Sequence, residues 1–309
     1  MLLGACSDSN NSTPITNSEP LTPLLSRYEL SSTTSIPSAF TFDPVDRNFY
    51  LGGIGDGSLI RVDAGGVESE IRAADFLVQI WGANVDAERR RLWICVRDPE
   101  GIDNQVWIYD LNTDERVGEF LLGALWPKGD CNDLVIDENG VAYVTDPINP
   151  NIYRLDPLTE EGTIYISDPR FLDVLGLGVG LNGIRISEDG SRLITNTIIP
   201  AQLFTISLPE PDEVVVVELE GDPLTTPDGM EFLDGDYYLI AFDAVHRIRF
   251  NDEYTRATVS TQGGFDEITS GTAAEGTLYA VNSEAISNQT GAEIDLPFEF
   301  FAIDLETFD

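Results

Sequence analysis

Residues 131–146, CNDLVIDENGVAYVTD, read as a strand, a turn and a second strand. Leu134 and Ile136 alternate with Val135 and Asp137, Glu138-Asn139-Gly140 makes the turn, and Val141 to Thr145 carries the chain back. Asn132-Asp133 sits just ahead of the first strand, where a polar pair adds nothing to a core. Related stretches recur. SAFTFDPVDRNFYLGG starts at Ser38, WGANVDAERRRLWICV at Trp81, LNGIRISEDGSRLITN at Leu181 and PDGMEFLDGDYYLIAF at Pro227, with a weaker copy, DEITSGTAAEGTLYAVNS, at Asp266. Aligned on their first strands, the leading residues are Ser38, Trp81, Asn132, Asn182, Asp228 and Asp266, 38 to 51 residues apart. A strand-turn-strand unit repeated at that period is the mark of a propeller blade, and six leading residues give six blades. The expected fold class is therefore all-β, a six-bladed β-propeller. Each leading residue is expected at the mouth of the central channel, where two Asn and two Asp make a candidate cation site.

Blades one to five are expected at about 37–73, 76–123, 131–167, 182–220 and 228–262, and blade six holds LYAVNS and FEFFAID. The apolar run EVVVVELEG reads as one strand that ends blade four. Blade six lacks an outermost strand, while RYELSSTT at 27–34 is a strand without a blade. Pairing the two closes the ring and removes an open sheet edge. The expected division is a tether over 1–26 and one propeller domain over 27–309.

Of 309 residues, 42% are hydrophobic, and no apolar run reaches the length of a membrane-spanning helix. With 54 acidic and 17 basic residues the net charge is −37, and Lys128 is the sole lysine. A phosphate backbone needs the opposite sign, so nucleic acid is not an expected partner. An acidic surface gives solubility and self-repulsion and suits salty surroundings, such as those of a marine or halophilic source. Leu3-Gly4-Ala5-Cys6 has the form of a bacterial lipobox, in which the cysteine is lipidated and becomes the mature N-terminus. No basic or apolar leader precedes it, which places the expected true start upstream. The following SDSNNSTPITNSEPLTP is poor in apolar residues and reads as a flexible tether. These readings give a monomeric lipoprotein of the bacterial cell envelope, facing the periplasm or the exterior and touching the membrane only through the Cys6 lipid.

Cys95, on the second strand of blade two, and Cys131, just before blade three, are expected as buried free thiols, although neighbouring blades make a bridge conceivable. Arg89-Arg90-Arg91 reads as a solvated hairpin tip. Gly176-Leu177-Gly178-Val179-Gly180 lacks the flanking strand and helix of a phosphate loop and reads as the connection into blade four. His246, the one histidine, falls in phase with Ile248 and Phe250 in VHRIRF and is expected to be packed and hydrogen-bonded. A single histidine leaves no case for a Ser-His-Asp triad or a Cys/His zinc cluster.

Asn132, Asn182 and Asp228 each open an inner strand, in NDLVID, NGIRIS and DGMEF, at one register in consecutive blades. Oxygen donors arranged so suit calcium. The sequence here resembles the senescence marker protein/gluconolactonase family, whose relatives include regucalcin and diisopropylfluorophosphatase. The likeness spans about 35–282. It lies in Asn-Asp before a hydrophobic strand and glycine turn, in Asn-Gly with Asp189-Gly190 downstream, and in Pro-Asp-Gly. The resemblance implies a divalent cation in the channel, usually calcium, and hydrolysis of lactones or phosphoesters. It implies that Asn132, Asn182 and Asp228 are the cation ligands and that Asp228 is the base or nucleophile.

Two departures stand out. The family's first ligand, a Glu in Glu-Gly-Pro, is replaced by Ser38 in Pro37-Ser38-Ala39, which removes one negative charge; Asp266 is the residue that could compensate. The Arg that helps the regucalcin branch hold a sugar lactone is Asp130 here, which argues against a sugar-acid lactone. Two functions stay open: a divalent-cation-dependent hydrolase of a small ester or lactone, and a non-catalytic, membrane-tethered propeller that binds a protein or polymer on its face.

Overall fold

Short strands that alternate inward and outward residues, broken by Asp, Asn and Gly turns, fold as six sheets set in a ring. The structure is a computed structural model and describes residues 21–176 and 179–308. Cys6 and the tether to residue 20 lie outside the described residues, as do Leu177 and Gly178 of the glycine-rich connection. The inner strands are Pro37–Asp43, Gln79–Asp86, Leu134–Ile136, Leu181–Ile186, Pro227–Leu233 and Ile268–Ala274. Each touches the next, and the last touches the first, so they enclose the channel. From each of them three further strands step outward in antiparallel order. Apolar side chains fill the wedges between blades. Trp93, Val106 and Tyr153 pack with Leu134 and Val144 between blades two and three, each such side chain contributing roughly 1.5–3 kcal/mol when fully buried.

The ring is closed as the sequence leads one to expect. Arg27–Glu29 pairs antiparallel with Glu299–Ala302 and so supplies the outermost strand of blade six. Tyr28 stacks on Phe300 at 4.4 Å and passes its hydroxyl to the Ala64 carbonyl of blade one at 3.2 Å. Arg27 meets Glu299 at 2.7 Å. The strand is shorter than the stretch read for it. Beyond Glu29 the chain turns toward blade one, where the Ser31 amide and hydroxyl donate to the Glu68 carboxylate.

Three local readings need correction. EVVVVELEG is two strands: Val214–Val216 ends blade four, and Glu218–Gly221 runs parallel to Arg256–Gly263 as a fifth strand of blade five. A continuous apolar run carries no mark of the sheet it joins, and both sheets offered an open edge. The arginine triplet is no solvated tip. Arg90 reaches back to Asp43 and Asp46 of blade one, Arg89 donates to the Glu138 carbonyl of blade three, and Arg91 pairs with Asp110. Finally, Cys95 and Cys131 form a disulfide, with Cα atoms 5.4 Å apart across the boundary of blades two and three. His246 does sit buried, with its Nδ1 at 2.9 Å from the Thr261 hydroxyl and its Nε2 against Thr225.

Candidate functional site

At the head of five inner strands the pairing with the second strand slips, between Pro37 and Ala39, Ile80 and Ala83, Leu181 and Ile184, Pro227 and Met230, and Ile268 and Ser270. Such an irregularity frees a residue from the ladder and re-aims its side chain. The residues that line the channel cavity from those points are Ser38, Trp81, Asn182, Asp228 and Thr269. Asn132, just before Leu134–Ile136, joins them in one cavity of about 190 Å³.

The second strands of blades two, three and four each hold the head of the next blade. Arg97 Nε donates to the Cys131 carbonyl at 2.9 Å, Thr145 Oγ1 to the Asn182 carbonyl at 2.7 Å, and Asn196 Nδ2 to the Pro227 carbonyl at 2.7 Å. The glycines that follow Trp81 and Asn182 make room for this approach. A Cβ on Gly82 would stand 2.2 Å from the Asn132 carbonyl oxygen, and one on Gly183 2.7 Å from the Met230 amide nitrogen. Where blade three carries Asp133 in place of glycine, its carboxylate accepts from the Ile184 amide at 3.3 Å and from Arg185 at 3.2 Å. Arg185 also meets Glu231 at 3.3 Å, so one guanidinium ties three inner strands together.

The structure thus brings Ser38, Asn132, Asn182 and Asp228 together as read from the sequence, and it does not bring Asp266. Asp266 is exposed in the turn before blade six, and the cavity position belongs to the buried Thr269. The blade-six copy is too weak to fix its register by alignment, so the supposed compensating carboxylate is absent from the cavity. Ser38 is itself buried, and its hydroxyl donates to the Trp81 carbonyl at 3.3 Å.

Arg97 enters unannounced. It closes the strand Arg91–Arg97, lies over the Trp81 ring with its Cζ 3.9 Å from the centroid, and meets Asp130 at 2.9 Å. Asp130 is fixed in turn by its amide, which donates to buried Asp146 at 3.0 Å. Burial pulls the Arg97 guanidinium below its ordinary value against the pull of Asp130, Asp146 and Asp228, and burial raises the Asp130 carboxyl despite Arg97. Asp228 is pushed up to about 7, first by burial and then by the Asp133 charge, while a hydrogen bond from Asn182 and the charge of Arg97 act the other way. Val179, Ile198 and Phe242 form an apolar wall, completed by Ala285 and Ile286 of the short helix Ala285–Thr290. That helix is held by Glu267, whose carboxylate accepts from the amides of Ile286 at 2.9 Å and Ser287 at 3.0 Å.

Calcium takes six to eight oxygen ligands and gains affinity from their charge. The cavity is lined by one carboxylate, Asp228, by the amides of Asn132, Asn182 and Gln289, and by the hydroxyls of Thr269 and of Ser38, the latter spent on the Trp81 carbonyl, with the Arg97 guanidinium in the same space. Among the described residues no group of three or more His, Cys, Asp or Glu is placed to hold a metal ion. A single carboxylate that shares the cavity with a guanidinium offers a divalent cation little charge to bind.

No family profile and no curated protein matches the chain by sequence. By structure it is similar to the major allergen Mala s 1 of Malassezia sympodialis, at 13% identity and a TM-score of 0.69, over 91% of this chain and 96% of that one. It is similar to the gluconolactonase XC5397 of Xanthomonas campestris, at 14% identity and a TM-score of 0.63, over 89% and 88%. A luciferin-regenerating enzyme matches at 10% identity and a TM-score of 0.62, over 90% and 95%. In fold the chain is a six-bladed β-propeller.

Proposed function

We propose that this propeller hydrolyses a small ester or lactone in its channel, with Asp228 as general base. The observation that carries the reading is that Asp228, Asn182, Asn132 and Arg97 line one cavity together with the apolar Val179, Ile198 and Phe242. A base works best when its pKa lies near the working pH, and burial sets the Asp228 carboxyl at about 7. The Asp228 carboxylate takes a proton from water as the water oxygen attacks the carbonyl carbon. The carbonyl electron pair moves to oxygen to give a tetrahedral oxyanion. On its collapse the bond to the alcohol oxygen breaks, and that oxygen takes the proton back from Asp228. Water has been added across one C–O bond, and the carboxyl is ready again. The Asn132 and Asn182 amides are hydrogen-bond donors for the substrate oxygens. Likeness to a gluconolactonase supports the class of reaction, and the apolar wall favours an apolar acyl or alcohol group over a sugar acid.

Turnover of para-nitrophenyl esters and simple lactones, followed against pH, tests the reading. The rate rises through about pH 7 as Asp228 ionises, and Asp228→Asn lowers it by roughly 100-fold or more, the contribution of a positioned base. A rate unchanged in Asp228→Asn sinks the proposal. The second reading, a binding module without chemistry, draws on Ser38, whose hydroxyl has replaced a carboxylate and is spent on a backbone carbonyl. Absence of turnover across both substrate classes selects it.

A further inference from the structure

Arg97 carries a donor with nothing to bind. Its Nε is used on Asp130 and on the Cys131 carbonyl, each at 2.9 Å, while its Nη2 is buried and has no hydrogen-bond partner among the described residues. Buried donors are almost always satisfied, and leaving one bare is costly, so an unpaired Nη2 on a residue that lines a cavity is open to an oxygen from a ligand. The group is also held rigidly. The Trp81 ring lies under the guanidinium, and Asp130 is locked by the donation of its own amide to Asp146 and by accepting from the Cys131 amide at 2.8 Å. The Cys95–Cys131 disulfide ties the strand that ends in Arg97 to the segment that carries Asp130 and Asn132.

We propose that the Arg97 guanidinium supplies the positive charge of this channel in place of a divalent cation and binds the carbonyl oxygen of the substrate. Two features move the charge in one direction. A hydroxyl stands at Ser38 where the resembled family has a carboxylate, and the Arg97 guanidinium lines the same cavity as Asp228, the one carboxylate among the residues that line it. A cation brought into the same cavity would meet like charge. Against a tetrahedral oxyanion the same guanidinium is a fixed, water-shielded donor, which needs no reorganisation when the charge forms. The choice of carbonyl oxygen as its ligand rests on the hydrolase reading; the displacement of the cation does not.

The test uses the full chain freed of metal by a chelator. Calcium and magnesium, each taken to millimolar levels, leave the wild-type melting temperature unmoved, and EDTA leaves para-nitrophenyl ester hydrolysis unchanged. Because Arg97→Gln alone strands the buried Asp130, the working variant is Arg97→Gln/Asp130→Asn. It lowers kcat roughly 100-fold, as the loss of an oxyanion donor does, while Arg97→Lys keeps part of the rate. Adding Ser38→Glu to that variant creates a melting temperature that climbs with calcium. A calcium-dependent rise in the wild type, loss of activity in EDTA, or a triple variant indifferent to calcium each overturns the proposal. So does an Arg97→Gln/Asp130→Asn variant as fast as the wild type. Should no ester or lactone be turned over by any form, the hydrolase reading fails, while the calcium titrations still decide whether Arg97 stands in the cation's place.

Discussion

Asp228 costs the fold something, and the sign of that cost is fixed. An unfolded aspartate titrates near 3.8, and this one is held at about 7. Between those values the folded chain binds the extra proton, so stability from this group falls as pH rises from about 4 to about 7 and is flat above. Asp228→Asn removes the cost. It should match the wild type at about pH 3.5 and exceed it by roughly 2–4 kcal/mol at about pH 8, a range discounted for the water the half-buried carboxyl still meets. Urea melts at the two pH values check this, and an equal gain at both would mean the carboxyl is not held near neutrality. Asn132, Asn182 and Asp228 were legible because they share a register with the strands they open. Arg97 was not, because it ends a second strand and its place in the cavity is set by contacts with Trp81 and Asp130 that the sequence does not show. The trace it left in the sequence was Asp130, a carboxylate where the resembled branch has a guanidinium. Thr269 was hidden by the missing glycine after it, since Ser270 follows where Gly82, Gly183 and Gly229 follow the leading residues of other blades.

At the scale of strands, the close approach of blades two, four and five to the head of the next depends on those glycines. Gly82→Ala places a methyl group against a backbone carbonyl that cannot rotate away. The expected loss is ~1–3 kcal/mol of stability, the usual cost of overpacking. A thermal melt checks it against Gly123→Ala, where the nearest contact to the added Cβ is 3.6 Å and little should change. Equal melting temperatures for the two variants would show that the blade boundary yields. The blades themselves were legible from alternation and from turns at Asp-Gly and Asn-Gly, because an inner strand must bury one face and leave the other to the next sheet. Strand ownership was not. Val214–Val216 and Glu218–Gly221 are separated only by Val217, whose amide still bonds to Leu203 of blade four, so the change of sheet has no residue signal of its own. The arginine triplet looked solvent-facing for a similar reason: a charge run in sequence does not show which neighbouring blade offers the matching carboxylates.

For the molecule as a whole, the net charge of −37 makes self-repulsion a standing term against the compact state. Surface ion pairs such as Arg27–Glu299 weaken in salt, but acidic residues outnumber basic ones 54 to 17, so repulsion between carboxylates is the larger quantity screened. Raising sodium chloride from low to molar concentration should lift the melting temperature by several degrees, and a flat or falling curve would refute this. The charge and the ring were both legible from composition and period; the disulfide was not, since two cysteines in neighbouring blades are equally compatible with free thiols. The closure of the ring has a further consequence, for the order in which the chain is made. Arg27 leaves the ribosome 272 residues ahead of its partner Glu299. Blades one to five can fold in turn during synthesis, but the strand at 27–29 must wait, with its ladder groups bare, until Glu299–Ala302 has been made. A chain that stalls or is clipped before Glu299 therefore carries two open sheet edges, and open edges pair with whatever strand is nearest. Only a chain made past Ala302 holds both strands that close the ring.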